Sequence, residues 1–164
     1  MTNAFIDQPP TPLRLSAVPV KVRSIREDAR IPKQAHAGDA GFDLHAAGDE
    51  IVLQPGDRAK VPTGLAFEIP VGYEIQVRPR SGLAIKSGIT CLNSPGTIDS
   101  GYRGEVCVIL YNASREPFTV RSGDRVAQAV LARVESILWV ESDELESSSR
   151  GEGGFGSTGV GGKG

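Results

Sequence analysis

Asp99, Tyr102 and Arg103 place a carboxylate, an aromatic ring and a cation close together in the stretch Asn93-Ser-Pro-Gly-Thr-Ile-Asp-Ser-Gly-Tyr-Arg-Gly-Glu105. A carboxylate held beside a water can act as its general base. A ring offers an apolar face to a sugar or nucleobase. A glycine-rich backbone lets a flat ligand come close enough to be read by N–H and C=O groups. The same residues also suit a plain polar turn, with Asp99 capping local amides and Tyr102 packed on the core. Apolar runs flank the stretch, Ile89-Thr-Cys-Leu92 before it and Val106-Cys-Val-Ile-Leu-Tyr111 after it. It therefore reads as a hairpin-like excursion between two buried strands.

A second candidate is Arg78-Pro-Arg-Ser-Gly-Leu-Ala-Ile-Lys-Ser-Gly88. Leu83 to Lys86 fits a short helix, with Ser81 and Gly82 near its start. Free amides and the helix dipole attract anions there, and an arginine adds a planar fork for phosphate oxygens. The competing account is a serine cap with incidental arginines. The Walker spacing is lacking, so this is not a P-loop.

Around Phe42-Asp-Leu-His45 the segment Ala37 to Ala47 mixes glycines and aspartates with apolar residues. Asp43 either satisfies backbone amides at a bulge or faces a polar site and orients an arginine. His36 and His45 lack a metal-ligand pattern. In Arg125-Val-Ala-Gln-Ala-Val-Leu131, Gln128 is a polar group among buried candidates and needs partners, from backbone, ligand or water. The tail Arg150-Gly-Glu-Gly-Gly-Phe-Gly-Ser-Thr-Gly159 carries a cation, an isolated ring and two hydroxyls among glycines. It is either a flexible end or a segment that orders over a ligand.

These segments must be held by a frame. The chain has 164 residues, enough for one domain and one core. With 20 glycines, 11 prolines and few aromatics, it suits an all-β protein with tight turns. Strands are expected over Leu15–Ile25, which alternates and should be half-buried. Further strands are expected at Ile51–Leu53, Ala59–Leu65, Phe67–Ile69, Tyr73–Val77, Phe118–Val120, Asp124–Val134 and Ile137–Val140. Trp139 reads as core or subunit contact. Residues 1–12 are expected to form a disordered arm, 13–141 the β domain, and 142–164 a flexible arm.

A net charge of −2 gives no general footprint for nucleic acid. Any anionic ligand must be held by local arginines and amides, helped by a metal. Cys91 and Cys107 sit in apolar runs and read as buried thiols. No run approaches the roughly 18 apolar residues of a membrane span, and Met1 to Pro12 has no signal-peptide pattern. A cytoplasmic location is the expectation.

Taken in order, the segments Ala37–Ala47, Arg78–Ile89, Asn93–Glu105, Gly123–Leu131 and Arg150–Thr158 resemble the five motifs of the trimeric dUTP nucleotidohydrolase (dUTPase) family. Each is weak alone, but the five in order are very specific. The resemblance implies a jelly-roll-like all-β subunit and a homotrimer whose active sites draw on all three chains. It implies hydrolysis of dUTP to dUMP and pyrophosphate. Mg²⁺ would be bound mainly by the triphosphate, so no protein metal ligands are expected.

By motif, Asp99 would activate the attacking water and Tyr102 would lie against deoxyribose, excluding a 2′-hydroxyl. Asn93 and the backbone of Gly96, Thr97 and Ile98 would read uracil. Arg80, Ser81 and Gly82 would hold phosphate oxygens, and Gln128 would bond phosphate or the water. Arg150 would meet the γ-phosphate and Phe155 would cap uracil. Gly156, Ser157 and Thr158 would complete the arm's substrate contacts, and Asp43 would support an arginine. Phe42 stands where the first motif often has Tyr. The nearest rival is a dCTP deaminase on the same fold, from which Arg80-Ser-Gly-Leu83 and Asp99-Ser-Gly-Tyr-Arg-Gly104 depart. A rival of a different class is a non-catalytic nucleotide-binding module on the same scaffold.

Overall fold

The computed structural model describes residues 17–155 and 157. Ten strands and one short helix follow in order: β1 (Lys21–Ser24), β2 (Phe42–His45), β3 (Ile51–Leu53), β4 (Arg58–Glu68), β5 (Tyr73–Arg78), α1 (Ser81–Ser87), β6 (Ile89–Cys91), β7 (Gly96–Ile98), β8 (Val106–Asn112), β9 (Phe118–Val120) and β10 (Arg125–Arg133). One four-stranded sheet runs β1-β4-β8-β6, a second runs β2-β10-β5-β7, and β3 pairs with β9. Every pairing is antiparallel. The fold is the expected jelly-roll-like all-β arrangement.

Alternation builds the core. On β8, Val106, Val108 and Leu110 are buried, while Cys107, Ile109 and Tyr111 face the other way. They join Val61, Leu65 and Phe67 of β4 and Ile75, Val77, Val126 and Ala127 of the second sheet in one apolar cluster. Asn112 is fully buried at the end of β8. Its amide nitrogen donates to the carbonyls of Leu53 and Glu116, and its oxygen accepts from Ser114. Thus the turn after β8 is tied to the β3–β9 pair, and the polar group carries no desolvation penalty.

Three expectations need correction. Ala59–Leu65 and most of Phe67–Ile69 belong to one eleven-residue strand, β4, which ends at Glu68 and leaves Ile69 just beyond it. Its register shifts between Pro62 and Leu65, where Gly64 adopts φ +68° and a Cβ would press on Ala29 and Arg26. This bulge lies inside the first expected segment, and the strand runs through Ala66, paired there with Arg23, without a break.

Among the described residues of the strand expected over Leu15–Ile25, only Lys21–Ser24 form one, all four exposed, as an edge strand paired with β4. Its alternation is real. Val18, Val20 and Val22 line an apolar groove of about 260 Å³ with Phe42, Phe67 and Leu131. The Ile137–Val140 segment forms no strand. Ile137, Leu138, Trp139 and Val140 are 68–87% exposed, since the chain offers them no sheet edge among the described residues. The expected arm over residues 1–12 lies outside the described residues.

The hairpin-like excursion is present in modified form. β6 and β8 do pair, Cys91 opposite Leu110. Between them the chain crosses to the second sheet, where β7 adds to β5 with Gly96 opposite Val77. The catalytic-loop candidate is thus pinned to both sheets.

Candidate active site

The second sheet sets a row of site residues side by side. In register, Gln128 of β10 lies between Asp43 of β2 and Arg78 of β5. After β5, Pro79 and Arg80 lead into α1. Arg80 is its extended N-cap residue and makes no side-chain cap bond, so Ser81 opens the helix and does not cap it. Gly88 ends it in the left-handed region, where a Cβ would collide with Ser114.

The Asp43 carboxylate joins the second and fourth motifs. Its Oδ1 accepts from Arg80 Nε at 3.0 Å and its Oδ2 from Arg125 Nη1 at 3.2 Å. Arg80 Nη1 also donates to the Arg125 carbonyl at 3.3 Å. Gln128 donates to the Pro79 carbonyl at 2.9 Å, which fixes the entry to α1. Its amide oxygen lies over Gly41, where any Cβ would collide with it. Asp39, Gly41, Asp43, Arg80, Ser81, Gly82, Arg125 and Gln128 line one polar cleft of about 340 Å³. The cleft sets two guanidiniums, Arg80 and Arg125, with two carboxylates, Asp39 and Asp43. Its donors are arginine, amide and hydroxyl groups, which suit phosphate oxygens.

Thr97, Ile98, Asp99 and Tyr102 line a different cavity, of about 260 Å³. Asn93 sets its side-chain amide against Gly96, where a Cβ would come within 3.1 Å of Nδ2. The Tyr102 hydroxyl donates to the Glu105 carbonyl at 2.9 Å, curling the loop back on itself. Glu105 in turn accepts from Arg26 Nε at 2.8 Å and from the Gly64 amide at 3.0 Å. The Arg26 bond holds the Glu105 carboxyl below the usual carboxylate range.

Lys60, Cys107 and Ile109 also line this cavity, and sequence reasoning missed them. Lys60 and Ile109 are register partners on β4 and β8, with Cys107 beside them. Their signal is the outward-facing half of each alternation, legible only once the pairing is known. Arg125 was missed at the phosphate cleft, although its place beside Gln128 in the fourth motif was the available signal. Burial pushes the Cys107 thiol up, and pushes the Cys91 thiol up to about 11, so both are poor nucleophiles at neutral pH.

The two cavities have no lining residue in common. Within one chain, Asp99 and Tyr102 are therefore not gathered with Arg80 and Gln128. The described residues of the last motif line neither cavity. Arg150 Nε donates to the Gly153 carbonyl at 2.7 Å, the Ser157 amide donates to Gly154, and the Phe155 ring is fully exposed. Gly156 and Thr158 lie outside the described residues.

The sequence model of the dUTPase family matches residues 27–159. The chain belongs to the dUTPase family. It is 52% identical over 140 residues to the deoxyuridine 5′-triphosphate nucleotidohydrolase of Nautilia profundicola, covering 85% of this chain and 98% of that one. It is 58% identical over 137 residues to that of Rhizobium leguminosarum bv. trifolii, covering 82% and 88%. Among solved structures, a mutant of the Staphylococcus bacteriophage 80alpha dUTPase with dUpNHpp superposes with TM-score 0.78 at 28% identity, covering 88% of this chain and all of that one. A mutant dUTPase from S. aureus phage phi11, whose structure is described as revealing coordination of a structural Mg(II) ion, superposes with TM-score 0.71 at 26% identity, covering 79% and 100%.

The Arg80 cleft presents arginine, amide and hydroxyl donors. Among the described residues no group of three or more His, Cys, Asp or Glu side chains is placed to hold a metal. The arginine, amide and hydroxyl donors of the cleft suit phosphate oxygens. No helix among the described residues is long and apolar enough to cross a membrane.

Proposed function

We infer that this chain hydrolyses dUTP to dUMP and pyrophosphate, which removes dUTP as a source of uracil in DNA and supplies dUMP for dTMP synthesis. The observation that carries this is the pairing of an amide-and-arginine cleft with a separate cavity holding a carboxylate and a ring, in a chain of this family. Water attacks the α-phosphorus, Asp99 takes the water's proton, and the bond from that phosphorus to the bridging oxygen breaks as pyrophosphate leaves. Arg80, with the Ser81 and Gly82 amides and hydroxyl, binds phosphate oxygens and spreads the charge that builds in the transition state. Asp43 keeps the Arg80 guanidinium in place. Gln128 bonds a phosphate oxygen or the water.

Tyr102 packs on deoxyribose, and Asn93 with the backbone from Gly96 to Ile98 reads the uracil edge. Packing alone discriminates a methyl group by about 1–3 kcal/mol. A fixed backbone pinned to two sheets resists it more strongly. A Mg²⁺ carried by the triphosphate would supply further charge neutralisation beside Arg80, Ser81 and Gly82.

The active unit is a homotrimer with sites shared between chains. Two observations support it: the Asp99 cavity and the Arg80 cleft do not merge within one chain, and Ile137–Val140 leaves four apolar side chains in water. Residues 13–141 form the β domain. From residue 142 an arm crosses to a neighbour's site, where Arg150 meets the γ-phosphate, Phe155 caps uracil, and Gly156, Ser157 and Thr158 complete the cover. Closure excludes bulk water from the reaction. The enzyme works on free nucleotides in the cytoplasm.

The test is pyrophosphate release from dUTP, dTTP, dCTP and UTP, with magnesium and then with chelator. Release from dUTP alone, falling on chelation, is the expected result. Ammonia release from dCTP would make the chain a deaminase, and binding without turnover would make it a regulatory module.

A further inference from the structure

Beside the phosphate cleft lies a second cavity of about 560 Å³, within the range of about 300–1,000 Å³ usual for ligand sites. Arg30, Lys33, Gln34, His45, Asp43 and Arg125 line it. Ala35, Asp43 and Arg125 belong to both cavities, so the two share a wall. Three cationic side chains face one carboxylate. Asp43 is already engaged by Arg80 and Arg125. Among the described residues, neither Arg30 nor Lys33 has a carboxylate within ion-pair distance.

The basin is built by backbone bonds, which keeps its charges together. The Lys33 carbonyl accepts from the Asp43 amide at 3.0 Å, laying this segment along β2. Arg30 Nη1 donates to the Gly123 carbonyl at 3.4 Å, and Gln34 donates to the Asp39 carbonyl. His45 adds a buried Nδ1 with no hydrogen-bond partner among the described residues. Such a buried polar atom calls for a partner. No aromatic side chain other than the His45 imidazole lines the cavity, so it lacks a platform for a second nucleobase. Its chemistry selects a compact polyanion.

We propose that the basin of Arg30, Lys33, His45 and Arg125 is a second anion site, which receives inorganic pyrophosphate as it leaves the phosphate cleft across the shared Arg125 wall. The assignment of pyrophosphate rests on the dUTP-hydrolysing reading. The anion site itself does not.

The experiment uses the full chain in its native assembly, with dUTP turnover measured first so that failure of the activity reading shows separately. Pyrophosphate is then titrated calorimetrically into wild-type protein saturated with dUpNHpp, which fills the phosphate cleft. One further pyrophosphate per chain is expected, with inorganic phosphate binding more weakly. Lys33→Glu should weaken that event by about tenfold or more, since it reverses a charge at close range. Arg30→Gln should weaken it by about fivefold. In both variants the KM for dUTP should stay within about twofold, while product inhibition by pyrophosphate falls and inhibition by dUMP does not. Absence of pyrophosphate binding to the dUpNHpp complex would overturn the proposal. So would unchanged affinity in Lys33→Glu, or a KM for dUTP that rises in parallel with the loss of pyrophosphate affinity.

Discussion

Asp43 on β2 holds Arg80 at the start of α1 through a 3.0 Å bond from Arg80 Nε to Oδ1, across 37 residues of chain. The other carboxylate oxygen takes Arg125 at 3.2 Å, so one side chain orients both cations of the phosphate cleft. Asp43 is only 18% exposed, and the pair is shielded more than a surface ion pair. Asp43→Asn should leave the fold intact and free both guanidiniums. The expected result is a loss of about tenfold to a hundredfold in kcat/KM for dUTP, as misplacement by about 1 Å can cost a hundredfold. Steady-state kinetics on a variant shown folded by circular dichroism checks it.

Asp99 lies in a loop anchored to both sheets and lines the cavity with Tyr102. Asp99→Asn should nearly abolish turnover and leave dUpNHpp affinity within about tenfold, because a base is lost and no contact to the nucleobase. Single-turnover kinetics beside calorimetric binding separates the two. Unchanged turnover would remove Asp99 from the mechanism.

Among the described residues, Arg150 to Phe155 and Ser157 line neither cavity, and Phe155 is fully exposed. Deletion from Arg150 onward should therefore leave the assembly and its melting curve unaltered while kcat falls by about a hundredfold or more, the site being left open. Loss of folding on deletion would make the segment structural.

Trp139 is the single tryptophan and is 85% exposed on one chain. In the proposed trimer it should be covered. Light scattering should give the mass of three chains, and acrylamide should quench Trp139 poorly until the trimer is dissociated. Trp139→Asp should weaken assembly and activity together if the site draws on more than one chain as proposed. A fully active monomer would contradict the shared site.

The Arg26–Glu105 pair ties the end of the Asp99 loop to Gly64 of β4. The Glu105 carboxyl is depressed in the folded state, chiefly by the bond from Arg26. Its contribution is thus present above the unfolded carboxyl range and is lost as pH falls through the folded value. Glu105→Gln should lower the melting temperature by a few degrees at pH 7 and by less in acid, as wild type loses the same interaction. Thermal melts at fixed protein concentration from pH 3 to pH 7 check the convergence.

Sequence alone determined the chemistry and most of the frame. Turn residues and alternating apolar positions are local signals, so the strands at Ile51, Tyr73, Phe118 and Arg125 and the short helix after Arg80 were legible. So were the five motifs, because each is a contiguous run. Tertiary structure decided what depends on pairing between distant segments. Period-two alternation says which residues share a face but not which strand lies opposite. Hence β7 joined the second sheet, and Lys60 and Cys107 arrived beside Asp99. Arg125 came to share Asp43 with Arg80, and Ile137–Val140 was left without a partner strand. The separation of the Asp99 cavity from the Arg80 cleft was equally invisible in the chain, since it follows from where two sheets place their edges.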